Sequence, residues 1–217
     1  MQDIQKKAAK LHENVPPGWY FKSIRENPFQ RYWHKRRFEE VSKLIKPVKG
    51  RVLDIGSCDG VFSKVILEKT KADKLVGIDV LKNSVDWANS HWKKNKKMTF
   101  KVQDVHDLKF PDGYFDAVFA LEVLEHVIDP EKALSEIKRV MKKGAYAVFL
   151  IPTENLLFKF IWFFWKLYRG RIWIGTHIHS YTHNVLVEKS KNAGFEIEKE
   201  NKFLLNMLQA VRVRKVK

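Results

Sequence analysis

Three aspartates close apolar runs in succession, and the first is followed at once by a glycine-bearing loop. Asp54 lies in VLDIGSCDG (Val52 to Gly60), Asp79 ends LVGID, and Asp104 lies in Gln103-Asp104-Val105 after Thr99–Gln103. Gly56 and Gly60 allow the backbone to turn tightly and lie close to a ligand. A carboxylate at the tip of a second strand, as at Asp79, can accept both hydroxyls of a ribose. Asp104 can accept from an adenine amino group. Taken singly, each acid reads as a helix cap or a solvated turn. At the carboxyl ends of three successive strands they converge on one crevice, and with the glycine loop they point to a nucleoside cofactor. The loop is not the dinucleotide fingerprint G-x-G-x-x-G. Cys58 takes the second glycine position and Asp59 stands where a pyrophosphate would sit. An acid there repels phosphate and suits a cationic ligand, which disfavours NAD.

A second constellation follows the next apolar run. In Glu122-Val-Leu-Glu125-His126 a helical backbone would put both carboxylates and the imidazole on one face. Two glutamates and a histidine form a plausible hard-metal site, and a neutral imidazole at His126 could instead serve as a catalytic base. The plainer alternative is that the glutamates cap and solvate a helix while His126 packs beside the cofactor.

The elements that must position these residues alternate. Arg51–Ile55, Lys74–Asp79, Thr99–Gln103, Phe115–Leu121 and Tyr146–Ile151 read as strands. Val61–Lys69, Leu81–Lys94 and a segment from Pro130 to Lys142, stopped by Gly144, read as helices. This rhythm predicts a parallel sheet with helices on both faces. Phe195–Glu200 and Phe203–Val213, joined by Asn201-Lys202, predict a closing antiparallel pair. Residues 1–46 form a mostly helical extension broken at Pro16-Pro17-Gly18 and near Asn27-Pro28, with a helix over Arg31–Ile45. The domain proper is expected over 47–217, with an insertion at 153–180. That insertion holds an aromatic helix, Asn155 to Arg171. Within it, Leu156–Tyr168 is interrupted only by Lys159 and Lys166.

Composition bounds the rest. One cysteine excludes an internal disulfide framework and a multi-cysteine zinc site. No secretory signal and no run of about 20 apolar residues is visible, so a cytoplasmic protein is expected, with membrane association through 156–173 as a further expectation. A net charge of +16 attracts nucleic acid or an anionic membrane surface. The cluster Lys93, Lys94, Lys96 and Lys97 carries no interleaved aromatics to stack bases, and it reads as a solvated helix end and loop.

With these motifs together, the chain resembles the class I S-adenosylmethionine-dependent methyltransferases, in particular the group similar to ubiquinone-biosynthesis enzymes. VLDIGSCDG resembles the family's first motif, LVGID its ribose-binding acid, and Gln103 to Val127 the adenine-binding and following motifs joined. The resemblance covers Val48 to Ile151 well and the last thirty-odd residues loosely. It implies a Rossmann-like α/β fold with a seven-stranded, mostly parallel sheet whose last strand is antiparallel. It implies cofactor contacts from Asp54, Gly56, Ser57, Cys58 and Gly60 of the loop. Asp79 with Val80 falls at the ribose, Asp104 with Val105 at the adenine, and Leu121 at the methionine end. Cys58 departs from the family's usual glycine, and a small side chain fits there if its φ is negative. The E-x-x-E-H string resembles that of small-RNA 2′-O-methyltransferases and quinone O-methyltransferases, where it holds a divalent ion with a distant histidine. In this chain His179 is the residue offered for that place. The expected activity is methyl transfer to an apolar small-molecule or lipid-linked acceptor, at oxygen. The alternatives are an RNA methyltransferase and a non-catalytic membrane or partner adaptor. No appended RNA-binding domain is visible, and the intact loop and acids argue against the adaptor.

Overall fold

The computed structural model of the chain describes residues 10, 12, 14–168, 178, 179, 181, 182 and 184–216. Two helices come first, α1 (Trp19–Glu26) and α2 (Pro28–Ser42). The alternating part then runs β1 (Arg51–Ile55), α3 (Val61–Thr70), β2 (Lys74–Asp79), α4 (Lys82–His91), β3 (Met98–Val102), β4 (Phe115–Leu121), α5 (Pro130–Val140) and β5 (Met141–Pro152). The aromatic helix α6 (Leu156–Tyr168), then α7 (Val185–Asn192) and the pair β6 (Phe195–Phe203) and β7 (Leu208–Lys215), complete it. The remainder of the expected insertion, at 169–177, lies outside the described residues.

The seven strands form one sheet in the order β3-β2-β1-β4-β5-β7-β6. Pairing is parallel from β3 through β5, and β7 inserts antiparallel to both β5 and β6. This is the sheet that the resemblance implies. Side chains alternate across it as the strand period of two requires. On β4, Val118 and Ala120 join the core that holds Leu134 and Ile137 of α5, while Ala117 and Phe119 join the core that holds Ile66 of α3 and Val85 of α4. Val41 of α2 packs into the second core, so the leading helices cover the same face as α3 and α4.

Local chemistry explains the boundaries. The Asn27 side chain accepts from Phe29 N and Gln30 N, and Pro28 supplies the preset φ of a first helical residue, so α2 starts three residues earlier than Arg31. Asp129 caps α5 in the same way through Lys132 N, again ahead of a proline. That helix yields to β5 at Met141, and Gly144 (φ 79) lies inside the strand instead of stopping a helix. Pairing of Met141 with Phe115 of β4 overrides the local helical pattern there. The tail hairpin turns through Leu204, Leu205 and Asn206, all at positive φ, and β6 continues through Asn201-Lys202.

Candidate functional site

A cavity of about 590 Å³ opens beyond the carboxyl ends of β1, β2, β3 and β4, within the roughly 300–1,000 Å³ usual for small-molecule sites. Its floor is made by Asp54 to Cys58, Ile78 to Leu81, Gln103 to His106 and Leu121 to Val123. These segments contain Asp54, Gly56, Ser57, Cys58, Asp79, Val80, Asp104, Val105 and Leu121, so nine of the ten predicted cofactor residues line one cavity.

The loop reaches this position through strained backbone. Gly56 has φ 69, and a Cβ there would lie 2.5 Å from Val123 Cγ2. Cys58 is also left-handed, at φ 46, which corrects the expectation of a negative φ. The conformation is held from outside the residue, because Cys58 N donates to Asp79 Oδ2 at 2.9 Å. Gly60 is the tenth residue and does not line the cavity. A Cβ on it would lie 2.5 Å from Phe100 Cζ, so its smallness serves packing. Asp59 faces away as well. It accepts Phe21 N at 2.8 Å and Val61 N at 3.2 Å, fastening α1 to the start of α3.

The acids that do face the cavity are fixed by local bonds. Asp79 accepts Cys58 N on one oxygen and Leu81 N on the other, both at 2.9 Å. Each oxygen keeps lone-pair capacity, the arrangement a vicinal diol needs. Asp54 accepts from the Ser63 hydroxyl at 2.5 Å, and burial, with the charge of Asp79 adding to it, pushes its carboxyl up to about 7 against the hydroxyl's opposing pull. Burial likewise raises Asp79. Two buried carboxyls held above their ordinary range favour a positively charged occupant, which would restore their ionised forms. Asp104 differs. Burial would raise it, but hydrogen bonds from the His106 ring and backbone hold it below the carboxylate range. Asp129 N donates to His106 Nε2 at 3.1 Å, so Nδ1 carries the proton that His106 gives to Asp104.

The opposite wall comes from residues that sequence reasoning left in a helical extension. Trp19, Tyr20, Phe29, Gln30, Trp33, His34 and Arg37 of α1 and α2 line the cavity, as do Phe158, Ile161, Trp162 and Phe164 of α6. Arg37, almost fully buried, pairs with Glu122 Oε2 at 2.6 Å and donates to His34 Nδ1 at 2.9 Å. The other ring nitrogen of His34 meets Gln30 Oε1 at 3.1 Å, which makes it the donor. Burial and then the Arg37 charge lower His34 well below its ordinary value, so the ring is neutral. This chain ties α2 to the tip of β4, where Glu122 has φ 57. The only forewarning in the sequence was negative: α2 is too poor in apolar residues to bury a purely apolar stripe.

The E-x-x-E-H string is a turn and not a helix, with His126 N bonded to Val123 O. Glu122, Glu125 and His126 therefore do not share a helical face. Glu122 is neutralised by Arg37. Glu125 is buried, and burial followed by the charge of Glu122 raises it well above the carboxylate range. The His179 backbone donates to Glu125 O at 3.1 Å, but its ring lies 3.3 Å from Ile128 O. Among the described residues no three histidine, cysteine, aspartate or glutamate side chains gather to hold a metal ion. His126 lines the cavity beside Glu125, 3.9 Å from its Oε1, with the His12 ring edge-on at 4.7 Å. The lysines at 93, 94, 96 and 97 are exposed in the turn that precedes β3, at the opposite end of the sheet.

Comparison with known proteins agrees with this geometry. The family model for a methyltransferase domain matches residues 53–149. The chain is 31% identical to the O-methyltransferase rstn1 of Aspergillus nomiae over 115 residues, 51% of each protein, so it spans about half the length of that relative. It is 29% identical to the ubiquinone biosynthesis O-methyltransferase of Pelagibacter ubique over 170 residues, 73% of this chain and 69% of the relative. In fold it matches the S-adenosylmethionine dependent methyltransferase of Mesorhizobium loti with a TM-score of 0.65 at 17% identity, covering 82% of this chain and 96% of that one. An acid with free lone-pair capacity on both oxygens, a second acid at the neighbouring strand tip and buried carboxyls that favour a cation suit a nucleoside sulfonium. The chain is thus similar to the class I S-adenosylmethionine-dependent methyltransferases, with the methyltransferase-domain match lying over residues 53–149, and its cavity suits the cofactor of that family, S-adenosylmethionine.

Proposed function

We propose that the protein methylates an oxygen of an apolar small-molecule or lipid-linked acceptor. The observation that carries this reading is the composition of the wall facing the cofactor loop, where Trp19, Tyr20, Phe29, Trp33, Phe158, Ile161 and Trp162 surround a few polar groups. Aromatic surface of this kind favours a flat or isoprenoid-like acceptor over a phosphate-bearing one. The exposed lysine cluster offers RNA no path to the site, being at the far end of the sheet.

When bound, the cofactor supplies an already activated methyl group, so the chain needs no nucleophile of its own. Its work is to orient the acceptor, exclude water and take a proton from the acceptor hydroxyl. We assign that base to His126, which lines the cavity on the turn that follows β4. A neutral imidazole can accept such a proton. The Glu122–Arg37 pair fixes the turn that carries His126, so the base sits on a braced segment.

The test is methyl-labelled S-adenosylmethionine added with the protein to lipid, RNA and protein fractions of the source cells. Label should enter the organic-soluble fraction in a base-stable form, as an ether does, and Asp79→Ala should abolish it. Label confined to RNA or protein would overturn the reading.

A further inference from the structure

We propose that the outward face of α6, with Phe29 and Tyr32 of α2, is a docking surface for an anionic lipid bilayer, placed so that the cavity mouth opens against the membrane. The aromatic helix is apolar on two sides. Its inner side, Phe158 with Ile161 and Trp162, lines the cavity at the i, i+3, i+4 spacing of one helical face. Its outer side repeats that spacing with Phe160, Phe163 and Phe164, which are 62%, 55% and 54% exposed, and Leu156 at its start is 87% exposed. A helix at a protein surface ordinarily turns charged residues outward, and a contiguous exposed apolar patch marks a contact.

The patch is not confined to α6. Phe29 and Phe164 both line the cavity and are both more than half exposed, so they form two sides of one mouth, with Tyr32 at 58% exposure beside Phe29. The helix cannot cross a bilayer. Its 13 residues span about 20 Å against a hydrocarbon core of about 30 Å, and no helix among the described residues is long and apolar enough to do so. It can lie in the interface plane with its aromatic side among the acyl chains.

Charge decides between a bilayer and a second copy of the chain. The protein carries +16. Lys159 on α6, Lys22 on α1 and Arg31 on α2 are exposed and form no ion pair with a carboxylate among the described residues. In a two-fold dimer through this face, those cations would confront their own copies. Facing an anionic surface, the same cations attract it while the rings insert.

This inference shares its motive with the lipid-linked acceptor, but it is read by flotation, which uses no acceptor. The full chain is floated with mixed phosphatidylcholine–phosphatidylglycerol vesicles and with pure phosphatidylcholine vesicles. Wild type should float with the mixed vesicles and bind pure phosphatidylcholine at least about tenfold more weakly, with partial release by salt. The double variant Phe160→Glu/Phe163→Glu changes two exposed rings that do not line the cavity. It should keep its folded spectrum and cofactor affinity while losing at least about tenfold in vesicle binding. Lys159→Glu should weaken binding to the mixed vesicles alone. A folded wild type that stays at the bottom of the gradient would overturn the proposal, as would a double variant that floats like wild type. Sedimentation showing a dimer that the double variant dissolves would assign the face to a second copy and overturn it equally. A protein that floats yet labels only RNA would remove the proposed acceptor and leave the docking surface standing.

Discussion

Asp79 and Arg37 line the same cavity from opposite sides, and they arrive there by different means. Asp79 closes β2 and is locked by Cys58 N and Leu81 N, neighbours supplied by the adjacent strand loop and by its own turn. Arg37 sits in the middle of a helix ahead of the sheet, and its partners are His34 one turn away and Glu122 far along the chain. The first half of the site follows from strand tips converging on a crevice, a rule that any parallel sheet of this kind obeys. The second half depends on where helices outside the sheet come to rest. On the proposed reading, the first half binds the cofactor and the second can change the acceptor without disturbing it.

Substitutions on the two sides should separate these roles. The largest effect is expected from Asp79→Ala. Two hydroxyl hydrogen bonds to a charged acceptor are lost, about 3 kcal/mol together, or on the order of 100-fold in cofactor affinity. Titration calorimetry with S-adenosylmethionine and its demethylated product measures it, and a dissociation constant within threefold of wild type would place the ribose elsewhere. Arg37→Ala should do the opposite. Removing one member of a buried ion pair is destabilising, and the one-fifth exposure of the Glu122 side chain puts the cost at the low end, about 3 kcal/mol. We expect faster proteolysis within α1 and α2 and a raised acceptor KM, with cofactor affinity nearly unchanged. Equal losses of cofactor and acceptor binding would show that the two halves are one unit.

How far each half was legible follows from the same contrast. The loop, Asp79 and Asp104 could be placed at one crevice because a glycine turn and an acid at a strand end leave a local signature, and the seven-stranded sheet with its antiparallel last strand came from the resemblance. Cys58 misled, because its left-handed backbone is imposed by the hydrogen bond to Asp79, which no local propensity encodes. Glu122 misled for a related reason: a positive φ breaks the helix that its E-x-x-E-H spacing suggests. His34 and Arg37 carried no motif, since a buried polar residue on a helix shows itself only through a partner brought up by the fold. The grease of α6 was plain in the sequence, whereas its division into a cavity side and an exposed side was not.

The cofactor half should also respond to pH through Asp54. Its folded value of about 7 lies above the unfolded value of 3.8, so the folded protein holds this proton more tightly. The stabilisation from this group is full below the unfolded value, falls as the pH climbs through that window, and is lost above about 7. A cationic cofactor favours the ionised form, so its affinity should rise about tenfold from about pH 6 to about pH 8. Asp54→Asn should flatten that rise. A flat profile in wild type would detach Asp54 from the charge of the ligand.

The smallest expected effect gives the sharpest contrast, because it compares two helix caps of the same kind. Asn27 accepts from Phe29 N at 2.9 Å and Gln30 N at 3.1 Å, and Asp129 accepts from Lys132 N at 2.9 Å. Each precedes a proline at the first helical position, and replacing either by alanine should cost about 1 kcal/mol of stability. The helices differ in what their first turns carry. Phe29 and Gln30 line the cavity, whereas Glu131 and Lys132 of α5 do not. Asn27→Ala should therefore fray the acceptor wall and raise acceptor KM a few-fold, about the population shift that 1 kcal/mol allows. Asp129→Ala leaves its own backbone N–H to hold His106, and it should lower the melting temperature equally without moving either KM. If both caps raised acceptor KM alike, general loosening of the fold would explain it. The separation of the site into a cofactor floor and an acceptor wall would then fail at its weakest joint.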